Sequence, residues 1–92
     1  MNEFTFSKEA FDQYVSWQTQ DKKTIKKIND LLEDIRRNGP MQGIGKPEAL
    51  KHRNGYSRRI DDSNRLVYEI DELNNIKILA CKGHYDEKYK RK

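Results

Sequence analysis

The sequence predicts an α+β domain: a short N-terminal strand, two helices, then an antiparallel curled sheet packed against the helices. Three observations predict it. Apolar residues Ile25, Ile28, Leu31, Leu32 and Ile35 recur at helical spacing. From Tyr56 onward the apolar period falls to two. Between these regimes stands Asn38-Gly39-Pro40, a strong helix stop: glycine suits the left-handed cap and proline cannot continue a helix. Helices gathered on one face of an antiparallel sheet define the class. The opposite face, bearing every second residue, is left for a ligand.

Each element has its own justification. Phe4 and Phe6 alternate with polar neighbours in a first strand. Ser7 can cap the helix that follows, with Glu9 in its first turn near the positive end of the dipole. Ala10, Phe11, Tyr14, Val15 and Gln18 are expected on its inner face, and Tyr14 and Trp17 are read as packing residues. Asp21 can cap the second helix. Met41 to Lys46 reads as a glycine-containing loop. Strands are expected over Tyr56–Asp61, Arg65–Ile70 and Ile76–Lys82, with turns at Asp62-Ser63-Asn64 and over 72–75.

The chain has 92 residues, enough for one domain with a small core. Charged residues make up 37% of it, against roughly 25% in an average domain. Five Tyr, three Phe and one Trp still supply a core. The net charge of +4 is uneven: residues 41–60 hold five basic residues against one acidic, and the last seven hold four against two. A local basic patch fits a polyanion partner, nucleic acid first, and equally a well-solvated surface. No stretch approaches the ~18 apolar residues of a membrane span. The N-terminus lacks the pattern of a secretory signal, so a cytoplasmic protein without membrane contact is expected. The lone Cys81 lies in an apolar run and reads as an inert buried thiol.

Metal chemistry finds no support in the spacing of two His and one Cys, and no cofactor motif is present. Gly43-Ile44-Gly45-Lys46 lacks the spacing and following helix of a phosphate loop. What remains is Glu48, Lys51, Arg58, Arg59, Arg65 and His84-Tyr85. Metal-free RNA cleavage needs a base for the 2′-hydroxyl, an acid for the departing 5′-oxygen and fixed positive charge for the phosphorane. These residue types suit those tasks, although any basic protein has them somewhere.

Placement adds specificity. Gly45-Lys46-Pro47-Glu48-Ala49-Leu50-Lys51-His52, then Tyr56-Ser57-Arg58-Arg59-Ile60, Asn64-Arg65-Leu66-Val67-Tyr68 and His84-Tyr85 stand in that order. Together they resemble the YoeB (Txe) group of the RelE toxin superfamily. Tyr14-Val15-Ser16-Trp17-Gln18 and Lys26-Lys27-Ile28-Asn29 agree too, so the resemblance runs from residue 3 to 85. It implies a RelE-like fold, with the toxin domain over residues 1–85 and a basic tail over 86–92. It implies a ribosome-dependent endoribonuclease (an mRNA interferase) that cuts the messenger in the ribosomal A site. By motif position, Glu48 would be general base, His84 general acid and Arg65 the stabiliser of the phosphorane. Tyr85 would orient the substrate, and Lys51, Arg59, Arg58 and Lys46 would contact RNA. The implied partners are mRNA, the ribosome, a YefM/Axe-like antitoxin and a second copy of the chain. No metal or cofactor is implied.

The chain departs from the family pattern at Ala49 (usually Pro), Tyr56 (often Trp) and Asn64 (usually His), in a slightly short loop before Ser57, and in the tail beyond Tyr85. Two other readings stay open: a non-catalytic ribosome- or RNA-binding inhibitor of translation, and a gyrase-poisoning relative. The Glu/Arg/His-Tyr set argues against the second. Arg58 and Arg59 point to opposite sheet faces, so at most one faces RNA; Arg59 is favoured because Arg58 shares the side of Ile60. Arg65 could instead pair with Asp61 or Asp62.

Overall fold

The computed structural model describes residues 3–83. The elements are β1 (Phe4–Phe6), α1 (Lys8–Gln20), α2 (Lys22–Asn38), β2 (Glu48–Ala49), β3 (Gly55–Arg59), β4 (Arg65–Ile70) and β5 (Ile76–Ala80). They form one five-stranded sheet in the order β1-β5-β4-β3-β2. The expected α+β class holds, with two additions. β1 pairs in parallel with β5, which the two intervening helices make sterically simple. The two-residue β2, unannounced by its sequence, joins the far edge through Glu48↔Ser57 and Ala49↔Tyr56.

The caps fall where the sequence places them. Ser7 Oγ accepts the Ala10 amide at 3.0 Å and donates to the Leu79 carbonyl at 3.1 Å, tying the start of α1 to β5. Asp21 closes α1 by donating its amide to Trp17 O, and opens α2 by accepting from the Lys23 and Thr24 amides and the Thr24 hydroxyl. α2 ends at Gly39, with φ +91°.

The inner face of α1 differs from the expectation. Ala10 and Trp17 are buried, with Tyr14 packed against them, whereas Phe11 and Val15 are 55% and 43% exposed. The helix is turned so that the indole, its largest side chain, enters the core. There its Nε1 donates to the Cys81 carbonyl at 2.9 Å, so the buried polar atom stays satisfied. On α2 the expected stripe holds: Ile28, Leu31 and Ile35 are fully buried, with Ile25 and Leu32 packed beside them. These residues meet Leu66, Tyr68, Ile76 and Ile78 of the sheet.

The other sheet face carries a smaller cluster of Leu50, Val67, Leu79 and Ala80. Its shape depends on a bulge. Val67 pairs with Ala80 but Tyr68 with Ile78, so Leu79 stands extra in β5. β3 and β5 end two residues earlier than expected, at Arg59 and Ala80. The tail over 86–92 lies outside the described residues.

Candidate active site on the open sheet face

Antiparallel partners share a sheet face, so the register alone assembles the site. Glu48 lies opposite Ser57, Ser57 opposite Val67, and Arg59 opposite Arg65. All project away from the helices. Arg65 Nη2 donates to Glu48 Oε1 at 2.8 Å, and Arg65 Nε donates to Ser57 Oγ at 3.2 Å. The Arg65 side chain is 14% exposed and that of Glu48 36%. A guanidinium thus stands beside a carboxylate, on a floor that includes the fully buried Ser57, with the carboxylate reached by solvent.

Two bonds bring the C-terminal segment to this place. The Arg65 amide donates to the Gly83 carbonyl at 3.0 Å, and the Gly83 amide donates to Asn64 Oδ1 at 2.8 Å. Asn64, where the family pattern usually has His, is therefore an anchor for the chain just before residue 84. His84 and Tyr85, the sequence candidates for acid and substrate-orienting aromatic, lie outside the described residues.

Arg59 is 56% exposed on the same face and pairs with Asp62 across the turn. Among the described residues, the ion pair of Arg65 is with Glu48 rather than with Asp61 or Asp62. Asp61 is engaged instead by the Ser63 amide and the Asn64 side-chain amide. Lys46 and Lys51 are exposed, at the two ends of the β2 segment. Lys46 adopts φ +51°, a left-handed conformation unusual for a residue with a Cβ.

The expectation that Arg58 contacts RNA does not hold. Its side chain is 0% exposed and faces α2. All its donors are used: Nε to Tyr68 Oη at 2.9 Å, Nη1 to Asp34 Oδ2 at 2.5 Å and Ile44 O at 3.0 Å, Nη2 to Gly39 O at 2.9 Å and Gln42 O at 2.8 Å. The parity of β3 dictates this, since Arg58 shares the inward side with Tyr56. The same contacts explain the glycine loop. Its carbonyls turn toward a guanidinium, the reverse of a phosphate-binding nest. The Arg58 bond, with help from Asn38 and the Ile44 amide, holds the Asp34 carboxyl below the usual aspartate range. Burial pushes the Tyr68 hydroxyl up, partly countered by Arg58; it remains a donor, to Pro40 O at 2.6 Å.

Ser57 is the site residue that sequence reasoning missed. Its signal was parity: it stands two residues before Arg59 and on the same face. Among the described residues, no group of three or more His, Cys, Asp or Glu side chains could hold a metal ion. No helix among them is long and apolar enough to cross a membrane.

Residues 6–85 match the family described as YoeB-like toxin of bacterial type II toxin-antitoxin system. The chain belongs to the YoeB-like toxin family. It is 48% identical to Toxin YoeB of Escherichia coli (strain K12) over 82 residues, which is 87% of this chain and 95% of that one. Among solved structures it resembles the YoeB dimer from Staphylococcus aureus. That match has 54% identity and a TM-score of 0.82, over 90% of this chain and 97% of the other. A heterotetrameric YoeB-YefM toxin-antitoxin complex from the same organism matches with 54% identity and a TM-score of 0.81, over the same shares. The YoeB and RelE-like fold expected from the motifs is thus the fold observed.

Proposed function

We propose that the chain is a ribosome-dependent endoribonuclease that cleaves mRNA in the ribosomal A site and so stops translation. The supporting observation is the Glu48–Arg65–Ser57 group on the open face, with the chain tied at Gly83 one peptide bond before His84. Family membership supports the same reading.

In this reading Glu48 takes the proton of the 2′-hydroxyl. The 2′-oxygen attacks the adjacent phosphorus, and the P–O bond to the 5′-oxygen breaks. His84 protonates that leaving oxygen, giving a 2′,3′-cyclic phosphate and a free 5′-hydroxyl. Arg65 offsets the charge of the phosphorane, with Arg59 and Lys51 on neighbouring phosphate oxygens. Tyr85 orients the base. An entering phosphate competes with Glu48 for Arg65, so substrate binding itself releases the carboxylate for proton transfer. No metal takes part. The role of Arg58 is excluded from this list by its burial. A cognate antitoxin of YefM type neutralises the toxin by covering the basic face; the Staphylococcus aureus relative forms a heterotetrameric complex with YefM.

The test uses ribosomes stalled on a defined messenger, with ribosome-free controls, beside Glu48→Ala and His84→Ala. Ribosome-dependent cleavage confined to the A-site codon is expected, falling roughly 10²–10⁴-fold in each variant. An intact messenger with translation still arrested would mean inhibition by occupancy, and the catalytic assignments would fall.

A further inference from the structure

We infer that Arg58 is a positioning residue for Glu48, acting through the loop over residues 39–45. The inference rests on Glu48 being the catalytic base. The guanidinium binds α2 at Asp34, the loop at the Gly39, Gln42 and Ile44 carbonyls, and β4 at Tyr68. Only a planar fork with five donors can span these acceptors; a lysine ammonium offers three from one point. Asp34 completes the knot by accepting the Ile44 amide at 3.1 Å.

The loop is moulded to this ion pair. A Cβ on Gly43, whose φ is +124°, would lie 1.8 Å from Asp34 Oδ2 and 3.1 Å from Arg58 Nη1. One on Gly45, at φ +81°, would meet Leu31 at 2.8 Å and Arg58 Cβ at 3.0 Å. From Gly45 the path to the base is three residues long, and both its ends are pinned to β3. The Arg59 amide donates to Gly45 O at 2.8 Å, and Glu48 pairs with Ser57. Where Gly45 is held therefore sets where the Glu48 carboxylate meets Arg65. Neighbouring arginines thus divide the labour: Arg59 faces outward, and Arg58 holds the loop from behind.

The test compares wild type, Arg58→Lys and Gly43→Ala in the stalled-ribosome assay, under conditions where circular dichroism shows each folded. Gly43→Ala disturbs the knot while leaving residue 58 an arginine. Displacing a catalytic group by about 1 Å can cost 10²-fold in rate, so cleavage should fall roughly 10–100-fold in kcat with KM little changed. The deciding measurement adds Glu48→Gln to each background. If Arg58 acts through Glu48, the double variant is no slower than the slower single variant; a merely structural role makes the losses multiply. Hydrogen exchange at the Arg59 and Ile44 amides gives a readout independent of catalysis. Exchange at least 10-fold faster in both loop variants is expected. Unchanged exchange together with multiplying losses would overturn the assignment. If wild type fails to cleave while exchange still accelerates, the nuclease reading falls and the loop-holding role of Arg58 stands.

Discussion

Arg58 and Arg65 stand on neighbouring strands, one on each side of the sheet. On the helix side, Arg58 is fully buried and every donor has a fixed acceptor: one carboxylate, one tyrosine hydroxyl and three backbone carbonyls. On the open side, Arg65 is partly exposed and shares Glu48 with solvent. The first arrangement admits no new partner. In the proposed mechanism the second exchanges its carboxylate for a phosphate, entering from the side where solvent reaches Glu48. The same side chain becomes scaffold or site according to its parity on a strand.

The sharpest way to break this comparison is to remove the carboxylate from each side. Asp34→Ala strands a buried guanidinium and should destabilise by about 3–5 kcal/mol, the usual loss when one partner of a buried pair is deleted. Glu48→Ala breaks a pair whose carboxylate is open to solvent and should cost less, about 1–3 kcal/mol. Urea unfolding of both variants measures the difference. Equal losses would mean that the two pairs are energetically alike.

Acid separates the sides next. Asp34 is held below its ordinary value of 3.8, chiefly by the Arg58 hydrogen bond. Its contribution is therefore complete above that ordinary value, and is lost as pH falls through the lowered folded value. The stability gap between wild type and Asp34→Asn should be constant from pH 7 down to about 5 and shrink below about 4. Asp21 and Asp71 are also lowered, so wild type loses stability in acid from several sites. Only the gap isolates Asp34. A gap that widened in acid would contradict the assigned pair.

A smaller effect probes the open side alone. Ser57→Ala removes the acceptor of Arg65 Nε and should cost about 0.5–1.5 kcal/mol in urea unfolding. A loss beyond that range would show that Arg65 depends on its floor as Arg58 depends on its loop.

Much of this division was legible beforehand, and the illegible parts have physical reasons. Ser7, Asp21 and Gly39 are local signals, because a cap is decided by two or three neighbouring residues. The α2 stripe was clear because its apolar residues are unambiguous. α1 was not: Phe11 and Val15 compete with Trp17 for the inner face, and only the partner carbonyl at Cys81 decides. The parity of β3 assigned Arg58 and Arg59 to opposite faces. That Arg58 finds Asp34, 24 positions away, is a long-range pairing that no local pattern announces. Two-residue β2 is likewise formed by its partner strand rather than by its own propensity.

The smallest expected effect concerns the exposed pair Arg59–Asp62, whose side chains are 56% and 90% exposed. Such a pair contributes at most about 1 kcal/mol, so Asp62→Ser should barely move the unfolding midpoint. Its consequence should lie in binding instead. Asp62 occupies the guanidinium that the proposed mechanism assigns to a phosphate, and removing it frees that charge and deletes a repelling one. Anisotropy with a labelled single-stranded RNA should show a several-fold gain in affinity near 50 mM salt. The gain should fade as salt rises and the Debye length shrinks below about 5 Å. Arg59→Gln should lower affinity and reduce the salt slope by about one, as the loss of one phosphate contact requires. If neither substitution alters the slope or the affinity, Arg59 is a surface residue held by its own turn, and phosphate contact on this face belongs to Arg65 and the lysines.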